Sequence, residues 1–324
     1  MSIKFNKKLI HWFGRLLMFL SFIYLGNAIF KQASGFHGIV FSVGAAVSLV
    51  ALILFYFSQW IVGANIWRCL LHGGGVHISL RQSFMILGQS QIAKYLPGNV
   101  FQYVGRFALG AKYEVPAAAV ASTTFIEIIL CVVSSTLMAS LEIIIAPGSI
   151  SKWLPAVNRN VIFVLLIAAV IIATGILFGA ISSTRVRKWV VSQQAYLNPS
   201  RLIYGVGQFL FIFTVMGILT WLLVHMVFNA NSTLPWYRYA SRITLAWLIG
   251  FVVPGAPGGL GIREALTVKM FEDDMGEGVA LCLALTMRLC NIIGDILVFL
   301  AAWLLAMKSK DNSKTQDTIF PLSR

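Results

Sequence analysis

The stretch VPGAPGGLGIRE at residues 253–264 sets two prolines and four glycines after an apolar run and closes on adjacent Arg263 and Glu264. Proline stops a helix, and glycine permits positive φ and close backbone approach. In a soluble protein the stretch would be an ordinary turn. Here 58% of the 324 residues are hydrophobic, only 11% are charged, and the mean hydropathy is +0.83. Several apolar runs reach about twenty residues, the length that crosses a hydrocarbon core of about 30 Å. The composition therefore reads as an all-α polytopic membrane protein.

Six segments are long enough to span: residues 9–30, 38–67, 116–146, 161–182, 202–228 and 278–307. Two apolar segments, 83–96 and 243–253, are too short, and each runs into a proline-glycine turn: KYLPGNVFQYVGR at 94–106 and the quoted stretch. A helix broken at membrane depth exposes backbone N–H and C=O groups, which is tolerable only where protein or a watery cavity supplies partners. Both segments are therefore expected to be re-entrant hairpins, over residues 83–111 and 243–270. The chain then divides into residues 1–157 and 158–308, each with two spans, a hairpin and a third span, followed by a polar cytoplasmic tail at 309–324 expected to be disordered. Three crossings per half make the halves an inverted repeat, the pattern of secondary transporters. Arg106 follows Pro97 by nine positions and Arg263 follows Pro254 by nine, so the turns match as well.

Charge fixes an orientation. The net charge of +14 would suggest nucleic acid in a soluble chain, but the basic residues sit in short loops between apolar runs. With both termini cytoplasmic, fourteen Lys and Arg in loops and tails fall inside and six, Arg238 and Arg242 among them, fall outside. That is the direction of the positive-inside rule, so a multi-pass protein of the cell (inner) membrane is expected and no nucleic-acid partner. The basic, apolar N-terminus lacks a small-residue cleavage site and reads as an uncleaved first helix. Cys69, Cys131, Cys282 and Cys290 have neither disulfide-framework nor zinc spacing, His11 and His225 have no metal-ligand spacing, and no Walker loop occurs. No cofactor or metal is expected. The HGGGVH run at 72–77 has no GxSxG partner and reads as a turn.

Ionisable groups inside the membrane each need a reason. The candidates are Lys94, Arg106 and Glu127 in the first half, with Arg263, Glu264, Arg288 and Asp295 in the second. Arg288 and Asp295 lie seven apart, on one helical face. One reading has the cations receive an anionic head group, with the carboxylates as counter-ions. The other has internal salt bridges, such as Arg288 with Glu127 or Glu264, brace the hairpins. The amides Gln82, Gln89, Gln91, Asn99 and Gln102 either bond broken-helix backbone or meet sugar hydroxyls or phosphate.

The elements PGGLGIRE at 257–264, KYLPGNVFQYVGR at 94–106 and TMRLCNIIGD at 286–295 resemble the lysylphosphatidylglycerol synthase transmembrane-region family, which includes the flippase-like membrane half of multiple peptide resistance factor. By position, Pro257, Gly258, Gly259, Gly261 and Glu264 match that family's second motif, and Pro97, Gly98 and Arg106 its first. The resemblance implies lipid translocation, with the two hairpins meeting near mid-membrane around a head group. Because the chain ends about seventeen residues after its last expected span, the soluble aminoacyl-transferase domain of the full-length factors is not expected. Stand-alone relatives often accompany glycosyltransferases, which implies a polyprenyl-phosphate sugar as an alternative cargo, a role in glycan assembly, and a glycosyltransferase partner.

The expected function is thus a flippase-like translocase for an anionic phospholipid or lipid-linked sugar, not an enzyme, and compatible with a homodimer. The alternatives are an accessory subunit for a glycosyltransferase, or a head-group transferase with Glu127, Glu264 or Asp295 as general base.

Overall fold

The structure is a computed structural model that describes residues 42–95, 101–146, 148, 153, 196–230, 232–252, 257–259 and 261–319. Eight α-helices order these residues: α1 (Val43–Gly73), α2 (Leu80–Gln91), α3 (Phe101–Gly110), α4 (Ala117–Ile145), α5 (Pro199–Met226), α6 (Trp236–Val252), α7 (Ile262–Met275) and α8 (Glu277–Ile319). No strand occurs among the described residues. The four longest carry segments long and apolar enough to cross a membrane: Val43–Gly73, Ala117–Ile145, Pro199–Met226 and Glu277–Lys308. They coincide with four of the six expected spans, and the other two, 9–30 and 161–182, lie outside the described residues.

Local sequence explains where the helices begin and end. Ser42 caps α1 through its hydroxyl, which accepts from the Ala45 N–H at 3.0 Å. The run of glycines at 73–75, with Gly75 at φ +79°, ends it, so the HGGGVH run is a turn as expected. Ser79 and Gln82 form a reciprocal capping box on α2. Asn198 caps α5, with Pro199 in the first turn where its missing N–H costs nothing. Gly276, at φ +82°, separates α7 from α8. Of the tail expected to be disordered, residues 309–319 continue α8 as helical backbone, and 320–324 lie outside the described residues. Once a span has nucleated a helix, each further turn costs little.

The short helices come in two pairs. α2 and α3 are joined through a 3-10 turn at Ile92–Tyr95, and α6 leads to α7 through a turn at Pro257–Gly259. At about 1.5 Å per residue, α2, α3 and α7 reach only about 15–21 Å, less than a hydrocarbon core. α6 starts at Trp236, seven residues before the expected hairpin entry, because its first turns carry arginines that the neighbouring α4 neutralises.

The packing exchanges partners between the halves. α2, from the first pair, packs on α8 and α1; α6, from the second, packs on α4 and α5; α1 and α5 meet at the centre. These contacts are close because small residues sit in them: a methyl group added at Gly217 of α5 would lie 2.2 Å from the Ala240 Cβ of α6, and one at Gly88 of α2 would lie 2.7 Å from the Ala302 Cβ of α8. Gly294 of α8 likewise faces Tyr56 of α1. Outward, Phe125, Ile129, Val133, Leu137 and Leu141 make an exposed stripe on α4 at a spacing of four, and Ile293, Leu297, Leu300 and Leu304 make another on α8. In water such faces would be a liability; in lipid they are the solvent-facing surface.

Candidate functional site

The 3-10 turns at Ile92–Tyr95 and Pro257–Gly259 meet. The Gly258 Cα faces the Tyr95 ring, and a methyl group built there would sit 3.8 Å from it. Around this junction lies a cavity of about 230 Å³ that brings together Lys94, Arg106, Glu127, Gly258, Arg263, Glu264 and Arg288. Helices from both halves therefore wall one space. Of the remaining expected site residues, Asp295 sits just behind the wall, Gly259 and Gly261 shape the second turn, and the backbone of Pro257 opens that turn. Pro97, Gly98 and Asn99 lie outside the described residues.

Three of the four cations are held by carboxylates. Lys94 Nζ lies 2.7 Å from Asp295 Oδ2, and Asp295, fully buried, also accepts from the Tyr95 hydroxyl at 2.5 Å and from Trp60 Nε1 at 3.2 Å. Arg106 Nη1 donates to Glu127 Oε2 at 2.5 Å, joining α3 to α4. Glu264 has two duties: its Oε2 accepts from the Gly261 N–H at 2.7 Å, satisfying the first turn of α7, and its Oε1 lies 3.5 Å from Arg288 Nε. Of the two partners the sequence offered Arg288, tertiary packing selects Glu264.

The arginines are not fully satisfied. Arg288 is 6% exposed and donates from Nη1 to the Gly258 carbonyl at 3.1 Å, but its Nε and Nη2 have no hydrogen-bond acceptor. Arg263 has no carboxylate within ion-pair distance among the described residues; it lies over the Trp247 ring at 5.2 Å, and its buried Nε has no acceptor. Glycine makes room for both side chains. A methyl group at Gly250 would come within 2.4 Å of Arg263 Cγ, one at Gly259 within 2.6 Å of Arg263 Nε, and one at Gly258 within 3.4 Å of Arg288 Nη2. Gly258 and Gly259 also take positive φ, +58° and +73°, which side chains resist. The glycines of the quoted stretch thus let the chain turn and let two guanidinium groups approach it.

The polar wall continues beyond the charges. Gln59, Gln91, Gln102 and Asn291 line the cavity together with Trp60, Tyr103, Trp247 and Phe251. The expected amide series divides: Gln82 caps α2 and Gln89 donates to the Ala302 carbonyl at 3.3 Å, whereas Gln91 and Gln102 reach the cavity. His225 is packed, with its ring nitrogens on the Trp221 and Ser232 carbonyls. No metal-binding cluster occurs among the described residues.

Sequence reading missed one cluster altogether. Glu142, near the end of α4 and fully buried, accepts from Arg238 and Arg242 of α6 and from Ser241, and Arg242 goes on to Asp274 of α7 at 2.5 Å. Arg238 and Arg242 were expected in an external loop; instead they occupy adjacent turns of α6. The signal was present, since two arginines four apart share a helical face and a lone glutamate closes an apolar run.

The site is thus a polar cavity inside an apolar bundle, built on two broken-helix elements. No curated protein and no solved structure gives a significant match to the chain. A family match does: the model for the lysylphosphatidylglycerol synthase TM region covers residues 12–298, nearly the whole bundle, and this multi-pass membrane chain belongs to that family.

Proposed function

We infer that this protein moves an anionic lipid, a phospholipid or a lipid-linked sugar, between the leaflets of the cell (inner) membrane. The head group passes through the cavity while the chains stay in lipid. The observation that carries this reading is a cavity walled by charges from both hairpins, inside a bundle whose outer faces are apolar. A charge at membrane depth costs about 2.5–3.5 kcal/mol even on insertion scales. A bundle needing only stability would fill that space with apolar side chains, which often serve as well as buried ion pairs. Interrupted helices meeting around a polar site are what alternating-access transporters use.

In this reading residues 1–157 and 158–308 are inverted repeats, the hairpins enter from opposite faces, and both termini are cytoplasmic. Two contacts agree with that topology. Glu142 at the end of α4 meets Arg238 at the start of α6, and both belong outside; Arg81 at the start of α2 donates to the Leu305 carbonyl of α8, and both belong inside. A head-group transferase has less support, because Glu127, Glu264 and Asp295 are each already engaged by a cation.

The test is purified protein in vesicles containing a fluorescent anionic lipid, with a membrane-impermeant quencher reporting the outer leaflet. Wild type should exchange the lipid between leaflets, and Arg263→Gln or Glu264→Gln should slow exchange at least tenfold with the fold intact. No exchange by wild type, or undiminished exchange in both variants, would sink the reading.

A further inference from the structure

The charges around the cavity do not balance. Lys94, Arg106, Arg263 and Arg288 face Glu127, Glu264 and Asp295, which leaves one positive charge, and the cation with no carboxylate among the described residues is Arg263. Beside it Arg288, more than nine-tenths buried, carries two N–H-bearing atoms without an acceptor. Buried guanidinium groups left this way are costly, and a carboxylate or phosphate is the acceptor their planar fork matches. The carboxylates are already engaged: Asp295 by Lys94, Tyr95 and Trp60, Glu127 by Arg106, and Glu264 by the Gly261 N–H and Arg288. An ammonium group entering the cavity would find four cations and, among the described residues, no free carboxylate.

The rest of the wall is neutral and suited to hydroxyls. Gln59, Gln91, Gln102 and Asn291 supply amides, which donate and accept, and Trp60, Tyr103 and Trp247 supply flat apolar faces. We propose that the cavity selects a polyol monophosphodiester: Arg263 and Arg288 take the phosphate, the amide and aromatic wall takes the hydroxyls, and a head group bearing an added ammonium is refused. This rests on the translocase reading and names its cargo class. The same chemistry belongs to a glycerol head group and to a polyprenyl-phosphate sugar.

The experiment measures binding to the protein in phosphatidylcholine nanodiscs by native mass spectrometry. The probes are short-chain phosphatidylglycerol, a short polyprenyl-phosphate hexose, phosphatidic acid, which lacks the polyol, and lysyl-phosphatidylglycerol, which adds ammonium groups. One or both polyol phosphates should bind at least tenfold more tightly than the other two, and the tighter of them names the source. Arg263→Gln should lose at least tenfold of that affinity, and Arg263→Lys, which keeps the charge, should still refuse lysyl-phosphatidylglycerol. A Gln102→Leu, Asn291→Leu variant should erase the preference over phosphatidic acid by weakening the binding of the polyol phosphates. Equal or tighter binding of lysyl-phosphatidylglycerol, or no preference among the four, overturns the proposal. The same preparation in vesicles separates the two claims. Selective binding without movement between leaflets keeps this inference and removes the translocase reading; equal movement of phosphatidic acid and the polyol phosphates, without selective binding, does the reverse.

Discussion

Gly259 shows how much a single missing side chain does. Its φ of +73° is one that a β-carbon resists, and a methyl group there would come within 2.6 Å of Arg263 Nε and 3.0 Å of the Gly250 carbonyl. Gly259→Ala should therefore displace the Arg263 guanidinium and weaken binding of an anionic head group at least tenfold, while circular dichroism stays helical. Unchanged binding would mean that Arg263 does not hold the head group. Glu142 presents the opposite case, a charge wholly engaged by Arg238, Arg242 and Ser241. Glu142→Ala strands Arg238 and leaves the almost fully buried Arg242 with Asp274 as its one carboxylate, and breaking such a network costs about 3–5 kcal/mol. Thermal unfolding in detergent should show the loss as a markedly lower midpoint, and an unchanged midpoint would show that the cluster is solvated.

At the level of helices, close approach through small residues decides the packing, since lipid gives no hydrophobic drive between apolar helices. α5 contains its own control. Gly217 faces Ala240 of α6, with a built methyl group overlapping both its Cβ and its backbone, whereas Gly207 on the same helix has nothing within 4 Å. Gly217→Ala should push α5 from α6 and lower the unfolding midpoint. Gly207→Ala should leave it unchanged or raise it slightly, by the roughly 0.5–1 kcal/mol that alanine gains over glycine in a helix. Equal effects at both sites would mean that the α5–α6 contact is not tight.

For the molecule as a whole, the testable property is sidedness. The turn after α3 and the end of α7 should lie on opposite faces if the hairpins enter from opposite sides. In a Cys69→Ser background, an impermeant thiol reagent added to intact cells should label Lys269→Cys and leave Lys112→Cys untouched until the membrane is opened; both positions are exposed. Labelling of both from one side would rule out the inverted arrangement and, with it, the transport geometry proposed here.

The sequence by itself determined the membrane class, four described spans, a helix break after each of the two short apolar segments and the family. Those follow from hydropathy over about twenty residues and from backbone limits at single positions, both of which are local. It also named the charged residues of the cavity, because any ionisable group in an apolar run stands out. Which charge meets which was decided only by tertiary structure. Lys94 finds Asp295 two hundred and one positions away, Arg288 takes Glu264 and not Glu127, and Glu142 draws in two arginines about a hundred residues further on. Each pairing depends on how helices from the two halves cross, and crossing geometry is set by glycines and alanines whose effect is invisible until the facing helix is known. Arg263, which has no carboxylate among the described residues, is a product of the same geometry: only when Glu127, Glu264 and Asp295 have each been given a cation does one guanidinium remain to face the cavity.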